Sequence, residues 1–170
     1  MIKIVLTGPE SSGKTTLARQ LAEHFHTNHV REYAREYIRS LDRKYREADL
    51  IEIAKLQLES EGLIAPHSGK LLFCDTDLLT IKIWSDYKFK KTDPWILQQI
   101  DRRYYDLYLL CAPDIPWEAD PQRENPNDRE ELFEIYKNEL HAYNKNYVEI
   151  KGSFEERLQM AIDAVQKFVS

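Results

Sequence analysis

The sequence predicts an α/β fold of three layers, a parallel five-stranded sheet covered by helices on both faces. Short apolar runs alternate with longer stretches whose apolar residues recur at helical spacing, the order that builds strand–helix–strand crossovers. The interior runs are apolar without alternation, as strands buried on both faces require. A length of 170 residues suits one domain, spanning 1–170, large enough to bury most of its apolar surface.

Ile2 to Thr7 is the first strand, closed by Gly8. From Lys14, the positions Leu17, Ala18, Leu21, Ala22 and Phe25 form the apolar stripe of a helix. A second strand is predicted over Asn28 to Arg31, followed by a helix through Arg35, Arg39 and Arg43. Glu47 to Leu63 is a longer helix with Leu50, Ile51, Ala54 and Leu58 on one face, ended by Pro66 and Gly69. Leu71 to Cys74, Asp106 to Ala112 and Tyr147 to Ile150 complete the strands. Helices follow Pro94 and run from about Asn127 to Asn144. Ser153 opens the last helix, where Glu156 completes a capping box and Leu158, Ile162, Val165 and Val169 supply the apolar face.

Between Pro113 and Asn127 the chain changes character, with Pro113, Pro116, Pro121 and Pro126 set among polar residues. Such a connection reads as a mobile loop, and the region of about 113–129 is predicted to be a lid rather than a domain boundary.

Composition removes several function classes. A net charge of −5 argues against a protein that coats nucleic acid or an anionic membrane. No apolar run approaches the ~18 residues of a membrane span, and the opening apolar run is too short for a signal peptide. Cys74 and Cys111 lie inside apolar runs, which excludes a disulfide scaffold and points to a reducing cytoplasm. His24, His26, His29, His67 and His141 have no metal-ligand spacing.

The chemistry concentrates in Gly8-Pro9-Glu10-Ser11-Ser12-Gly13-Lys14-Thr15, which fits the phosphate-binding pattern G-x-x-x-x-G-K-[ST] between a strand and a helix. Gly8 lets the chain leave the strand in a tight turn, and Gly13 lets the backbone approach phosphate where a Cβ would collide. Successive amides and the helix N-terminus form an anion cradle. Lys14 reaches the β- and γ-phosphates of ATP, and the Thr15 hydroxyl ligates Mg²⁺. The ATP-binding set is therefore Gly8, Glu10, Ser11, Ser12, Gly13, Lys14, Thr15 and Thr16.

A second magnesium anchor is expected at the end of a buried neighbouring strand. Asp75 meets that description, with Asp77 two residues on; Asp77 also suits the N-cap of a helix from Leu78. Glu32 and Arg35 follow the second strand, at the edge where ligands bind in parallel sheets. Glu32 can take a proton from an attacking hydroxyl or hold a sugar hydroxyl, and Arg35 can pair with phosphate. The four-residue spacing of Arg31, Arg35, Arg39 and Arg43, interleaved with Glu32 and Glu36, equally describes a solvated helix face. In the lid, Arg123 and Arg129 can neutralise developing charge beside Trp117 and Asp120, or merely solvate the loop. Tyr87 and Trp95 are candidates for stacking on a planar ring, or for the core.

Together the phosphate loop, Glu32-Tyr33-Ala34-Arg35-Glu36, Asp75-Thr76-Asp77 and Trp117 with Asp120, Arg123 and Arg129 resemble the ribosylnicotinamide kinase domain of NadR-type proteins, over nearly the whole chain and in the same order. The resemblance implies a P-loop NTPase core related to nucleoside and nucleotide kinases, and ATP-dependent phosphorylation of the 5′-hydroxyl of nicotinamide riboside in NAD salvage. It implies Lys14 and Thr15 for ATP and Mg²⁺, and Asp75 for the metal. It places Glu32, Arg35, Asp75 and Asp77 around the riboside, and Arg123 and Arg129 as lid arginines. The catalytic set is then Lys14, Glu32, Asp77, Arg123 and Arg129, with Glu32 preferred over Asp77 as base. NadR-type proteins carry an adenylyltransferase domain ahead of the kinase; here the P-loop begins at Gly8, so a kinase domain alone is expected, with a small-molecule substrate and neither nucleic acid nor membrane as partner.

Two other functions fit parts of the pattern. A P-loop ATPase that drives a partner would hydrolyse nucleotide without an acceptor. A binding module using the arginine stripe for nucleic acid would work against the acidic balance.

Overall fold

The computed structural model describes residues 1–170. Its strands are β1 (Ile2–Thr7), β2 (His29–Val30), β3 (Leu71–Asp75), β4 (Leu107–Cys111) and β5 (Tyr147–Ile150). All neighbours pair in parallel, in the order β2-β3-β1-β4-β5. The helices are α1 (Lys14–His24), α2 (Tyr33–Ser40), α3 (Glu47–Ile64), α4 (Leu78–Phe89), α5 (Pro94–Arg102), α6 (Arg129–Ala142) and α7 (Phe154–Val169).

The period-2 geometry of a strand divides the core into two layers. On one face Ile4 and Leu6 of β1, with Phe73, Leu107 and Leu109, pack against Leu17 and Leu21 of α1 and Ala161 and Val165 of α7. On the other, Val5, Leu72, Cys74, Tyr108 and Leu110 meet helices α3 to α6 through residues such as Ile53, Leu79, Ile96 and Leu140. The central strand thus has apolar partners on both sides, and each such side chain taken from water stabilises the fold by ~1.5–3 kcal/mol. This is the three-layer arrangement that the alternation of elements predicts.

Local chemistry sets the element boundaries. Asp93 caps α5 by accepting from the Trp95 amide at 2.8 Å, with Pro94 in the first turn. Ser153 and Glu156 form the reciprocal capping box of α7. Two sequence expectations need correction. The second strand shrinks to His29–Val30 at the sheet edge. Helix α2 stops at Ser40, so Arg43 leaves the arginine stripe. It pairs instead with buried Asp49 through two bonds of 2.7 and 3.0 Å, which hold that carboxyl well below its ordinary range.

The sheet topology positions the site. The chain leaves β1 toward β2 on one side, returns through β3, and later adds β4 on the other side of β1. Ligand crevices in parallel sheets form at the C-terminal ends of strands at such a reversal. Thr7, at the end of β1, feeds the phosphate loop there, and Asp75 ends the adjacent strand beside it.

Candidate active site

Gly8 and Gly13 have different tasks. Gly8, at φ +133°, lies so close to β4 that a Cβ would stand 2.5 Å from the Cys111 carbonyl oxygen. Gly13 sits at φ +80°, the left-handed turn into α1 that glycine adopts freely, and no protein atom stands closer than 3.4 Å to the place of its Cβ. Gly8→Ala should therefore lower stability by about 2 kcal/mol or more, read as a shifted urea midpoint at unchanged slope; a midpoint equal to wild type would contradict the close contact.

None of the amides of Glu10, Ser11, Ser12, Gly13 or Lys14 donates to an internal acceptor. Unmatched donors at a helix start form an anion site. The Lys14 ammonium donates to the Pro9 carbonyl at 2.8 Å, and Ser12 Oγ donates to the same oxygen at 2.7 Å. Beside them, Thr15 Oγ1 donates to Asp75 Oδ2 at 2.6 Å. Asp75 is buried and its Oδ1 has no partner. Burial pushes its carboxyl pKa up, while Thr15, Lys14 and Arg35 pull it down. An orphaned carboxylate oxygen next to a hydroxyl is a donor set suited to Mg²⁺. No group of three or more His, Cys, Asp or Glu side chains forms a metal site elsewhere.

These residues open onto one cavity of about 860 Å³. Its lining joins Gly8 and Glu10 to Thr16 of the phosphate loop with Arg123, Glu32 and Arg35, and with Ile38, Tyr45, Trp84, Tyr87 and Lys88. Glu32 immediately precedes α2 and lines the same cavity as the phosphate loop. Burial first, and then the Asp75 charge, push its pKa up to about 7, against the pull of Lys14, Arg35 and Arg123.

The segment 113–128, expected to act as a lid, has no regular element, yet it is held down on both sides. Glu10 turns its carboxylate to the lid and not into the cradle, accepting from the Glu124 and Asn125 amides at 3.1 Å each. The Glu118 amide donates to Ser11 Oγ at 2.9 Å. Arg35 pairs with Asp120 at 3.1 Å, and its carbonyl accepts from Gln122 Nε2 at 3.1 Å. Trp117 has the Arg123 and Arg129 guanidinium groups over its ring at 5.9 and 5.6 Å. Arg123 faces the cavity; Arg129 does not, and donates instead to the Ser11 and Ile115 carbonyls at 3.1 and 3.0 Å.

Asp77 departs from the expectation that it faces the riboside. Strand alternation would keep Asp75 and Asp77 on one side, but Thr76 adopts φ 71° and breaks it. Asp77 turns into the second core layer, where it is buried, precedes α4 and accepts from the Tyr108 hydroxyl at 2.7 Å. Burial lifts its pKa to about 6, against the Tyr108 bond and the first amides of α4. Trp95 likewise lies away from the cavity, half-buried against the same layer.

Residues 3–157 match the family model AAA_28, an AAA domain. The chain belongs to this family. Among curated proteins, this AAA_28 domain is 26% identical over 175 residues to the trifunctional NAD biosynthesis/regulator protein NadR of Escherichia coli (strain K12), covering 98% of this chain and 42% of that protein. The Salmonella typhimurium NadR matches to the same extent. The chain thus spans about two fifths of the length of these relatives. Among solved structures, NadR in complex with NR superposes with a TM-score of 0.84 at 24% identity, over 98% of this chain and 51% of that one. NadR in complex with NAD and AMP-PNP gives 0.83 at 24%, over 98% and 49%. Thymidylate kinase from Ehrlichia chaffeensis gives 0.71 at 16%, over 97% and 98%. The fold is that of P-loop nucleoside and nucleotide kinases.

Several residues of this AAA_28 domain that shape the site carry no sequence signal. Tyr45, in the α2–α3 connection, and Trp84, on α4, reach the cavity only through tertiary packing. The Tyr45 hydroxyl and Lys88 both bind the lid carboxylate of Glu124, at 3.2 and 2.8 Å. Arg157, on α7, reaches back to the phosphate loop. No helix is long and apolar enough to cross a membrane.

Proposed function

We propose that the protein is an ATP-dependent kinase that phosphorylates the 5′-hydroxyl of a nucleoside, with nicotinamide riboside as acceptor and nicotinamide mononucleotide as product, working in the cytoplasm. One observation carries this reading: the phosphate loop, Glu32 and the aromatic side chains of Tyr45, Trp84 and Tyr87 line a single cavity. A phosphoryl donor and a flat-ringed acceptor need just such a joined space, whereas a P-loop ATPase acting on water needs no aromatic lining. The similarity to NadR, including the fold match to its complexes with NR and with AMP-PNP, supports the choice of acceptor.

In the proposed reaction the amides of the phosphate loop and Lys14 hold the ATP β- and γ-phosphates. Thr15 and Asp75 would hold Mg²⁺, which when bound would neutralise charge on the phosphate oxygens. The aromatic lining, with Tyr45, Trp84 and Tyr87, seats the base of the acceptor. Glu32 accepts the proton of the 5′-hydroxyl as that oxygen bonds to the γ-phosphorus; the bond to the β–γ bridging oxygen breaks and ADP departs. Arg123 offsets charge on the transferred group, while Arg35 and the lid exclude competing water. Asp77 and Arg129 have no part in this scheme as reacting groups.

Glu32 acts as base only when deprotonated. With its pKa near about 7, kcat/KM should rise as pH increases through that value and fall on the acid side. A rate profile flat between pH 6 and pH 8 (roughly one unit either side of the midpoint) would remove Glu32 from this role.

The acceptor is tested by incubating a panel of ribosides with ATP and Mg²⁺ and weighing the products. Nicotinamide riboside should gain one phosphoryl group fastest. A different preferred riboside would overturn the acceptor but not the reaction; ATP consumption indifferent to every riboside would favour the ATPase.

A further inference from the structure

Arg157 is 2% exposed, and a buried guanidinium is costly unless its donors are matched. Here they are matched by backbone from three separate loops. Nε donates to the Gly152 carbonyl at 2.8 Å, Nη1 to the Ser12 carbonyl at 2.8 Å, and Nη2 to the Ala112 carbonyl at 2.7 Å and to the Asp114 carboxylate. Asp114 also accepts from the Gly152 amide at 2.7 Å. One side chain thus ties the phosphate loop to the segments that follow β4 and β5.

The bond to Ser12 has a directional consequence. No peptide bond in the chain is cis. In a trans peptide the C=O and the following N–H point in opposite directions. A Ser12 carbonyl gripped from behind by Arg157 therefore turns the Gly13 N–H toward the cradle, where it has no internal acceptor. Arg129 applies the same geometry one residue earlier, gripping the Ser11 carbonyl and so aiming the Ser12 amide.

We propose that Arg157 is a positioning residue for phosphoryl transfer, which orients the Gly13 amide toward the triphosphate by holding the far edge of the Ser12–Gly13 peptide. This rests on the reading that the phosphate loop holds ATP. Lysine cannot replace the fork, because a point-charge ammonium cannot reach three separated carbonyls. Arg157 touches no reacting atom; its effect passes through backbone.

The test compares the wild type, Arg157→Lys and Asp114→Asn for binding of ATP and of adenosine, which shares the base and sugar but has no phosphate. Steady-state KM for ATP and for the nucleoside acceptor is measured alongside. Asp114→Asn serves as a mild second variant, because Asp114 is 43% exposed and its change loosens the guanidinium without opening the core. Arg157→Lys should weaken ATP binding by about tenfold, the loss expected for a charged hydrogen bond, with adenosine within about twofold. Asp114→Asn should move ATP binding in the same direction by about threefold. The KM for ATP should rise and that for the acceptor should hold. Equal losses for ATP and adenosine, or no change for ATP in either variant, would overturn the proposal. Should Arg157→Lys fail to fold, the ATP-to-adenosine ratio of Asp114→Asn decides alone. A wild-type chain that binds ATP no better than adenosine overturns the phosphate-loop reading beneath it.

Discussion

Lys14→Ala should lower phosphoryl transfer by about 10²–10³-fold, the usual cost of removing a preorganised group aimed at developing negative charge. The thermal midpoint should stay near that of wild type. Lys14 stands on the phosphate loop and its ammonium bonds only the Pro9 carbonyl, so no core contact is lost. The Pro9 carbonyl keeps its bond from Ser12 Oγ, which leaves the loop anchored without the lysine. ADP release in the presence of the acceptor, with a circular-dichroism melt on the same sample, checks both halves. Wild-type turnover in a folded variant would show that the cradle has been assigned to the wrong loop.

Glu32→Gln should reduce kcat by about 10²–10⁴-fold, the range for loss of a general base, with little change in the KM for ATP. The amide keeps the shape and a hydrogen-bonding oxygen but cannot accept the proton. The acid limb near pH 7 should vanish from the remaining activity, because the carboxyl whose pKa burial raises to about 7 has been replaced by an amide. That second readout separates a lost base from a disturbed pocket. A variant whose reduced rate still falls through the same pH would assign the titration to another group, with Asp75, the carboxylate whose charge helps raise Glu32, as the first to examine. Both substitutions act inside one cavity and share partners, so their effects are not expected to add.

How much of the site could be read in advance depended on how locally each residue's direction is set. The phosphate loop was legible because its chemistry lies within eight consecutive residues between a strand and a helix. Glu32 and Arg35 were legible as positions at the end of a strand, and the structure brings both to the cavity wall. Arg43 was misread because α2 ends at Ser40, where Arg43 finds the buried Asp49 instead of continuing a helical stripe. Asp77 was legible as the residue that opens α4, but not as one turned away from the cavity, because the alternation rule assumes an unbroken strand and Thr76 turns left-handed immediately after Asp75. Arg129 was assigned by its residue type; its guanidinium found two carbonyls behind the loop. Glu10 sits within the motif, yet its side chain serves the lid.

By itself the sequence determined the layered α/β class, the phosphate-loop pattern with Lys14 and Thr15, the position of Asp75 on a buried strand and a polar, proline-rich connection after β4. Each of these follows from periodicity or from spacing along a short stretch of chain, where covalent geometry fixes the outcome. The tertiary structure alone decided the strand order, the aromatic lining of the cavity, the clasp between Glu10 and the segment after β4, and the grip of Arg157 on a peptide 145 positions away. Those depend on where separately folded segments come to rest and on which buried donors remain to be matched once they do, and neither is encoded in any local run of residues.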